Sequence, residues 1–149
     1  MKHYDIIIIG SGIAGISLGS IISKERKVAI IEKEKQLSYH STGRSFAFFI
    51  ESYGNNAIIE LTKISKKFFY DNFNLFLKKK GVMFIGNNKQ KTIVEDFYNE
   101  HKHKVKLELF SKNETIKLAN CLNEDYVNNS VIDINASEID VNNLYEYYR

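Results

Sequence analysis

The sequence predicts an α/β fold, with a parallel βαβ unit at its start and an α+β segment of short strands and amphipathic helices after it. Three observations carry this reading. Ile6 to Ile9 form an unbroken isoleucine run, the β-branched pattern of a strand buried on both faces inside a parallel sheet. That run feeds directly into Gly10-Ser11-Gly12-Ile13-Ala14-Gly15, a Gly-x-Gly-x-x-Gly that opens a helix. One helix later, Val28-Ala29-Ile30-Ile31 reads as a second buried strand and ends on an acid, Glu32.

Each part of this opening has a mechanical role if a dinucleotide binds. Gly10 permits the tight turn off the strand, Gly12 lets the backbone approach a pyrophosphate, and Gly15 lets the helix sit close to the strand. The phosphates then meet free backbone N–H groups at the positive end of a helix dipole. Ile13 to about Ser23 carries a helical apolar pattern, with small residues Ala14, Ser17 and Gly19 on its closely packed side, and Lys24 to Lys27 form a polar turn. Glu32 stands about 20 residues past the glycines, where an acid accepts hydrogen bonds from ribose hydroxyls and repels a 2′-phosphate. The unit is therefore read as Rossmann-like, with NAD or FAD favoured over NADP. The competing reading is a generic βαβ unit whose glycines serve packing alone.

Composition narrows the class. The chain has 149 residues, 44% of them hydrophobic and 26% charged, which suits about one soluble globular domain. A net charge of +3 with interleaved acids gives no footprint for nucleic acid, and Lys78-Lys79-Lys80 is read as the solvated end of a helix. One cysteine, Cys121, excludes an intrachain disulfide and fits a reducing compartment. With no signal-peptide pattern and no apolar stretch long enough to span a bilayer, the expected location is cytoplasmic. Proline is absent, so turns must be read from Gly, Asn, Asp and Ser.

After Glu32, the polar stretch Lys33 to Gln36 leads into His40-Ser41-Thr42-Gly43-Arg44-Ser45-Phe46-Ala47. This loop offers hydroxyls, backbone N–H groups and a guanidinium to a cofactor, or is a polar surface loop. Asn55-Asn56 then caps a helix running to about Phe76, with Ile58, Leu61, Ile64, Ser65, Phe68, Phe69 and Phe73 as its core stripe. Gly81 stops the helix, Val82–Gly86 reads as a short strand, and Lys91 to about Lys102 form an amphipathic helix. His101 and His103 point about 200° apart on a helix, so no metal site is expected. Val105–Leu109 alternates as a strand, and Ser111 and Glu114 form a capping box for a helix to about Leu122, placing Cys121 in its last turn as inert packing. Val131–Ile134 reads as a strand, and Asp140 caps a terminal helix from Val141 to Arg149.

The run Tyr39-His40-Ser41-Thr42-Gly43-Arg44-Ser45, together with Tyr53-Gly54 and Leu61-Thr62, resembles the FAD-binding end of the D-amino-acid oxidase superfamily, and within it the bacterial D-arginine dehydrogenase-like enzymes. Similar stretches occur around Ser65-Lys66-Lys67-Phe68-Phe69 and Ile139-Asp140-Val141. The resemblance implies FAD as cofactor, with Gly10, Gly12, Ala14 and Gly15 at the pyrophosphate and Glu32 and Lys33 at the adenosine. It further implies that Ser41, Thr42, Gly43, Arg44, Ser45, Phe46 and Ala47 run past the flavin and that Tyr53 contacts substrate. A histidine and a threonine of the group's substrate pocket are replaced by Phe48 and Ile50, so its substrate preference does not transfer and a more apolar amino acid or amine is expected.

The implied organisation is an incomplete flavoprotein fold: residues 1–78 as the FAD-binding segment, 79–136 as the start of a substrate-binding domain, and 137–149 as a helix returning to the first. The implied reaction is oxidation of the C–N bond of a D-amino acid or related amine by hydride transfer to flavin, the imine then hydrolysing to a 2-oxo acid and ammonia. No catalytic acid or base stands out. The terminal helix has no capping glycine before Arg149, so the chain is expected to be the N-terminal piece of a longer flavoenzyme, truncated or split, with a second chain supplying the C-terminal half. The alternatives are an NAD-linked Rossmann oxidoreductase and an inactive or partner-requiring nucleotide-binding fragment.

Overall fold

A computed structural model of the chain describes residues 3–149. The chain divides into two compact units, each discontinuous in sequence. The first comprises residues 1–47, 72–76 and 139–149, and the second residues 48–71 and 77–138. Residues 48–71 thus cluster with the second unit, whereas the sequence reading kept them within 1–78.

In the first unit, β1 (Ile6–Ile9) pairs in parallel with β2 (Val28–Ile31), from Ile6 opposite Val28 to Ile9 opposite Ile31. Helix α1 (Ile13–Ile22) crosses over one face. Its Gly19 lies so close that a Cβ there would stand 2.8 Å from Ile30 Cδ1 and 3.4 Å from Ile8 Cδ1. The other face departs from expectation. Ile7 is 59% exposed, Ile9 89% and Ile31 54%, so the strands are not buried on both sides. Successive strand side chains alternate between faces, and among the described residues of this unit only the α1 side is covered.

Helix α6 (Val141–Tyr148) completes the unit, burying Leu144 and Tyr145. Asp140 caps it as expected, accepting the Asn143 N–H at 2.8 Å. The short α3 (Phe73–Phe76) packs against α6, with Phe76 edge-on to Tyr147.

The second unit has a three-stranded antiparallel sheet of β5 (Val82–Gly86), β7 (Asn129–Asp133) and β6 (Leu107–Ser111), with β7 central. Val131 on β7 is fully buried, and with Leu107 and Val94 of α4 (Lys91–His101) it forms the core. A smaller sheet orders β3 (Phe48–Phe49), β8 (Ser137–Ile139) and β4 (Leu77–Lys79). Helix α2 (Asn56–Asp71) is capped by the Asn55 side chain, which accepts the Ile58 N–H.

The helix expected to reach Phe76 ends at Asp71, because the Asn72 carbonyl accepts the N–H groups of Leu75 and Phe76 and starts a new turn. Its apolar stripe is not core throughout: Ile58, Leu61 and Ile64 are exposed and Ile59 is the buried position. Lys78 and Lys79 lie on the edge strand β4 rather than at a helix end, where charged side chains discourage further strand pairing. Helix α5 (Lys112–Leu118) stops before Cys121, which is exposed in the turn beyond. The capping box that starts α5 is present, with Glu114 accepting the Ser111 N–H at 2.8 Å. Among the described residues no helix is long and apolar enough to cross a membrane, and no cluster of His, Cys, Asp or Glu is arranged to hold a metal.

Candidate functional site

The site lies in the first unit, where β1 turns into α1. Gly10 has φ +98°, a left-handed conformation that favours glycine, and its N–H still reaches the Ile31 carbonyl at 2.8 Å. Gly12 is the N-cap of α1 in extended geometry and brings no side-chain cap. Gly15 packs directly over the turn, where a Cβ would collide with the Gly10 carbonyl oxygen. No acid sits in the first turn of α1, so no residue of the helix itself offsets the positive end of its dipole. The N–H groups of Gly12, Ala14 and Gly15 have no acceptor among the described residues. These free donors could hold an anion.

Glu32 stands beside that glycine turn, at the end of β2. Its Oε2 accepts from the Ser11 N–H at 2.8 Å and from Ser11 Oγ at 2.7 Å, and its Oε1 accepts from the Glu34 N–H at 3.0 Å. These donors, the Glu34 amide first and the Ser11 hydroxyl next, pull the carboxyl from an ordinary 4.5 down to about 2. Glu32 is therefore ionised and oriented next to the glycine turn.

The loop after β2 closes over the same place. Thr42 Oγ1 accepts the Ile13 N–H at 3.0 Å, and a Cβ on Gly12 would stand 3.2 Å from that oxygen. The loop folds on itself through a Gly43 N–H to Ser38 carbonyl bond of 2.7 Å, with Ser38 at φ +54°. Arg44 lies over the Tyr39 ring at 4.6 Å, while Ser41, Ser45 and Phe46 are exposed and Ala47 is half-buried. Lys33 is exposed beside Glu32. Tyr53 belongs to the second unit, where it is 60% exposed in the loop between β3 and α2.

The structure thus brings Gly10, Gly12, Ala14, Gly15, Glu32 and Thr42 together. It also adds residues that sequence reasoning missed. Ser11 holds the Glu32 carboxylate, and a small hydroxyl inside the glycine loop was a usable signal for that role. Tyr145 of α6 donates its hydroxyl to the Ser11 carbonyl at 2.9 Å, and nothing in the sequence links positions so far apart.

Comparison with known proteins decides the lineage. The family model described as FAD dependent oxidoreductase, DAO, matches residues 5–144. This chain belongs to the DAO family. Among solved structures, the fold is shared with the FAD-bound L-α-glycerophosphate oxidase of Mycoplasma pneumoniae, at a TM-score of 0.82 and 16% identity over 99% of this chain and 42% of that one. It is shared equally with glycine oxidase of Geobacillus kaustophilus, at a TM-score of 0.83 and 14% identity over 99% of this chain and 44% of that one. An uncharacterised protein of Methanocaldococcus jannaschii is 39% identical over 59 residues, which are 39% of this chain and 16% of that protein. This DAO chain spans less than half the length of each of these relatives.

FAD is the cofactor of the DAO family, and the residues present fit its adenosine and pyrophosphate end. The fit rests on the unpaired N–H groups of Gly12, Ala14 and Gly15, and on the ionised carboxylate beside them.

Proposed function

We propose that this chain forms the adenosine- and pyrophosphate-binding walls of an FAD-dependent oxidoreductase that oxidises the C–N bond of a D-amino acid or related amine. The observation that carries the reading is the set of unpaired amides at the start of α1 beside Glu32. Gly12, Ala14 and Gly15 would hold the pyrophosphate by backbone N–H groups, with Gly10 shaping the turn, and Glu32 would accept from the ribose hydroxyls with Lys33 next to it. The loop Ser41, Thr42, Gly43, Arg44, Ser45, Phe46 and Ala47 would run on toward the flavin. When bound, FAD supplies a two-electron acceptor for hydride from the substrate carbon. The substrate's imine product then hydrolyses to a 2-oxo acid and ammonia, and an amine entering neutral needs no general base from these residues. The second unit would begin the substrate-binding domain, with Tyr53 at the substrate and Phe48 and Ile50 favouring an apolar side chain.

Titration of FAD with the purified chain, followed by flavin fluorescence, tests this reading. Quenching in the wild type that is lost in Gly12→Val supports it. Binding of NAD in place of FAD, or FAD binding unchanged by Gly12→Val, refutes it.

A second reading has its own observation. Ile7, Ile9 and Ile31 present an apolar sheet face to solvent, and further polypeptide supplying the C-terminal half of the fold, in the same or a separate chain, would cover it. The 149-residue chain is then a partner-requiring fragment. Ile9→Lys should abolish association with such a segment while leaving α1 folded. Unchanged association would rule this face out.

A further inference from the structure

We propose that Tyr145 is a positioning residue for the nucleotide site, its hydroxyl setting the direction of the Gly12 N–H and the pose of the Glu32 carboxylate. This rests on the reading of the glycine turn as a dinucleotide cradle.

The geometry begins with Ser11, which is 2% exposed and sits between two peptide planes. The Gly10–Ser11 peptide presents the Ser11 N–H, which donates to Glu32 Oε2 at 2.8 Å. The Ser11–Gly12 peptide presents the Ser11 carbonyl, which accepts the Tyr145 hydroxyl at 2.9 Å. A trans peptide is planar, so its C=O and N–H point in opposite directions, and fixing one fixes the other. Holding the Ser11 carbonyl on Tyr145 therefore aims the Gly12 N–H, which has no acceptor among the described residues, to the opposite side.

The same anchor reaches Glu32. Ser11 contributes both its N–H and its Oγ to one carboxylate oxygen, so any rotation about Ser11 misplaces two of the donors that orient the acid. Glycines on both sides of Ser11 leave the backbone with few intrinsic restraints. Gly10 is at φ +98° and Gly12 brings no side-chain cap, so the restraint has to come from elsewhere. Tyr145 is well placed to provide it. It is 5% exposed on a helix that packs against α1, and a buried phenol held on a rigid helix is a fixed donor.

The test is Tyr145→Phe, which keeps the ring and removes the donor. In ligand-free protein labelled at glutamate, the Glu32 carboxyl titration is followed by carbon NMR alongside thermal melting. The midpoint is expected to rise by about one pH unit in the variant as the Ser11 donors loosen. A variant that melts lower but keeps the wild-type Glu32 midpoint gives Tyr145 a packing role only and overturns the proposal. If Tyr145→Phe does not fold, the wild-type hydroxyl proton is observed instead. Slow exchange with water supports the buried bond, and fast exchange overturns it.

Added ADP separates this proposal from the reading beneath it. In the wild type ADP should shift the Gly12, Ala14 and Gly15 amide resonances, and Tyr145→Phe should weaken that binding about fivefold to tenfold. Equal binding by both proteins preserves the cradle and refutes Tyr145. No amide shift in the wild type, with the Glu32 response intact, refutes the dinucleotide reading and the functional part of the proposal with it.

Discussion

Thr42 Oγ1 accepts the N–H of Ile13 at 3.0 Å, so the first turn of α1 is capped by a residue 29 positions away. Gly12, the N-cap itself, has no side chain to do this. Thr42→Val keeps the shape and removes the acceptor, and should cost about 1 kcal/mol in urea unfolding. Thr42→Ser should retain most of that stability. Stability kept by Thr42→Val and lost by Thr42→Ser would show that the methyl, and not the oxygen, matters.

The glycines beside this cap are not equivalent. A Cβ on Gly12 meets only the movable Thr42 hydroxyl, at 3.2 Å, whereas one on Gly15 runs into the Gly10 carbonyl. Gly15→Ala should therefore lower stability by about 3 kcal/mol, and Gly12→Ala by about 1 kcal/mol or less. Denaturant melts of the two variants check the order. A Gly15→Ala protein as stable as the wild type would mean that the turn and the helix can separate freely.

Glu32 makes a pH signature. Its folded value lies near 2, below the ordinary 4.5, so its stabilisation is fully present above about pH 4.5 and is lost as the pH falls toward about 2. Glu32→Gln should flatten the stability profile in that window while leaving the slope at neutral pH unchanged. Melting temperatures at half-unit pH steps provide the comparison.

In the second unit, Asp133 is 1% exposed and accepts from Ser52 Oγ at 2.8 Å and from the Asn135 and Ala136 N–H groups. Asp133→Ala would strand all of these donors and should cost about 3 kcal/mol; Ser52→Ala should cost about 1 kcal/mol. Because Ser52 precedes Tyr53, both variants should also speed proteolysis within residues 50–55. Unaltered cleavage there would show that the loop is held by other contacts.

Elements built from local signals were legible in the sequence. The isoleucine run, the glycine turn, the acid at Glu32, the capping box at Ser111 and the cap at Asp140 each announce themselves within a few residues. What depended on distant partners was not. Strands β3 and β8 are too short to show a period, and exist because Phe48 and Phe49 pair with Glu138 and Ser137. The break at Asn72 carries no glycine or proline to mark it. Exposure of Ile7, Ile9 and Ile31 could not be read from their type, since burial of a β-branched strand is set by what packs on it. At the site, the glycines and Glu32 were foreseen as chemistry, but the Ser11 and Tyr145 contacts that orient them arise only from the fold.

The discontinuity of the first unit bears on the order of synthesis. Its pieces are residues 1–47, 72–76 and 139–149, with the second unit's residues between them. On a growing chain, β1, α1 and β2 emerge early but must wait for α6 before the Ser11 carbonyl finds its partner, while the β5–β7–β6 sheet can close first. The backbone of the cradle is thus made well before the helix that anchors the Ser11 carbonyl, so the turn gains its last restraint late.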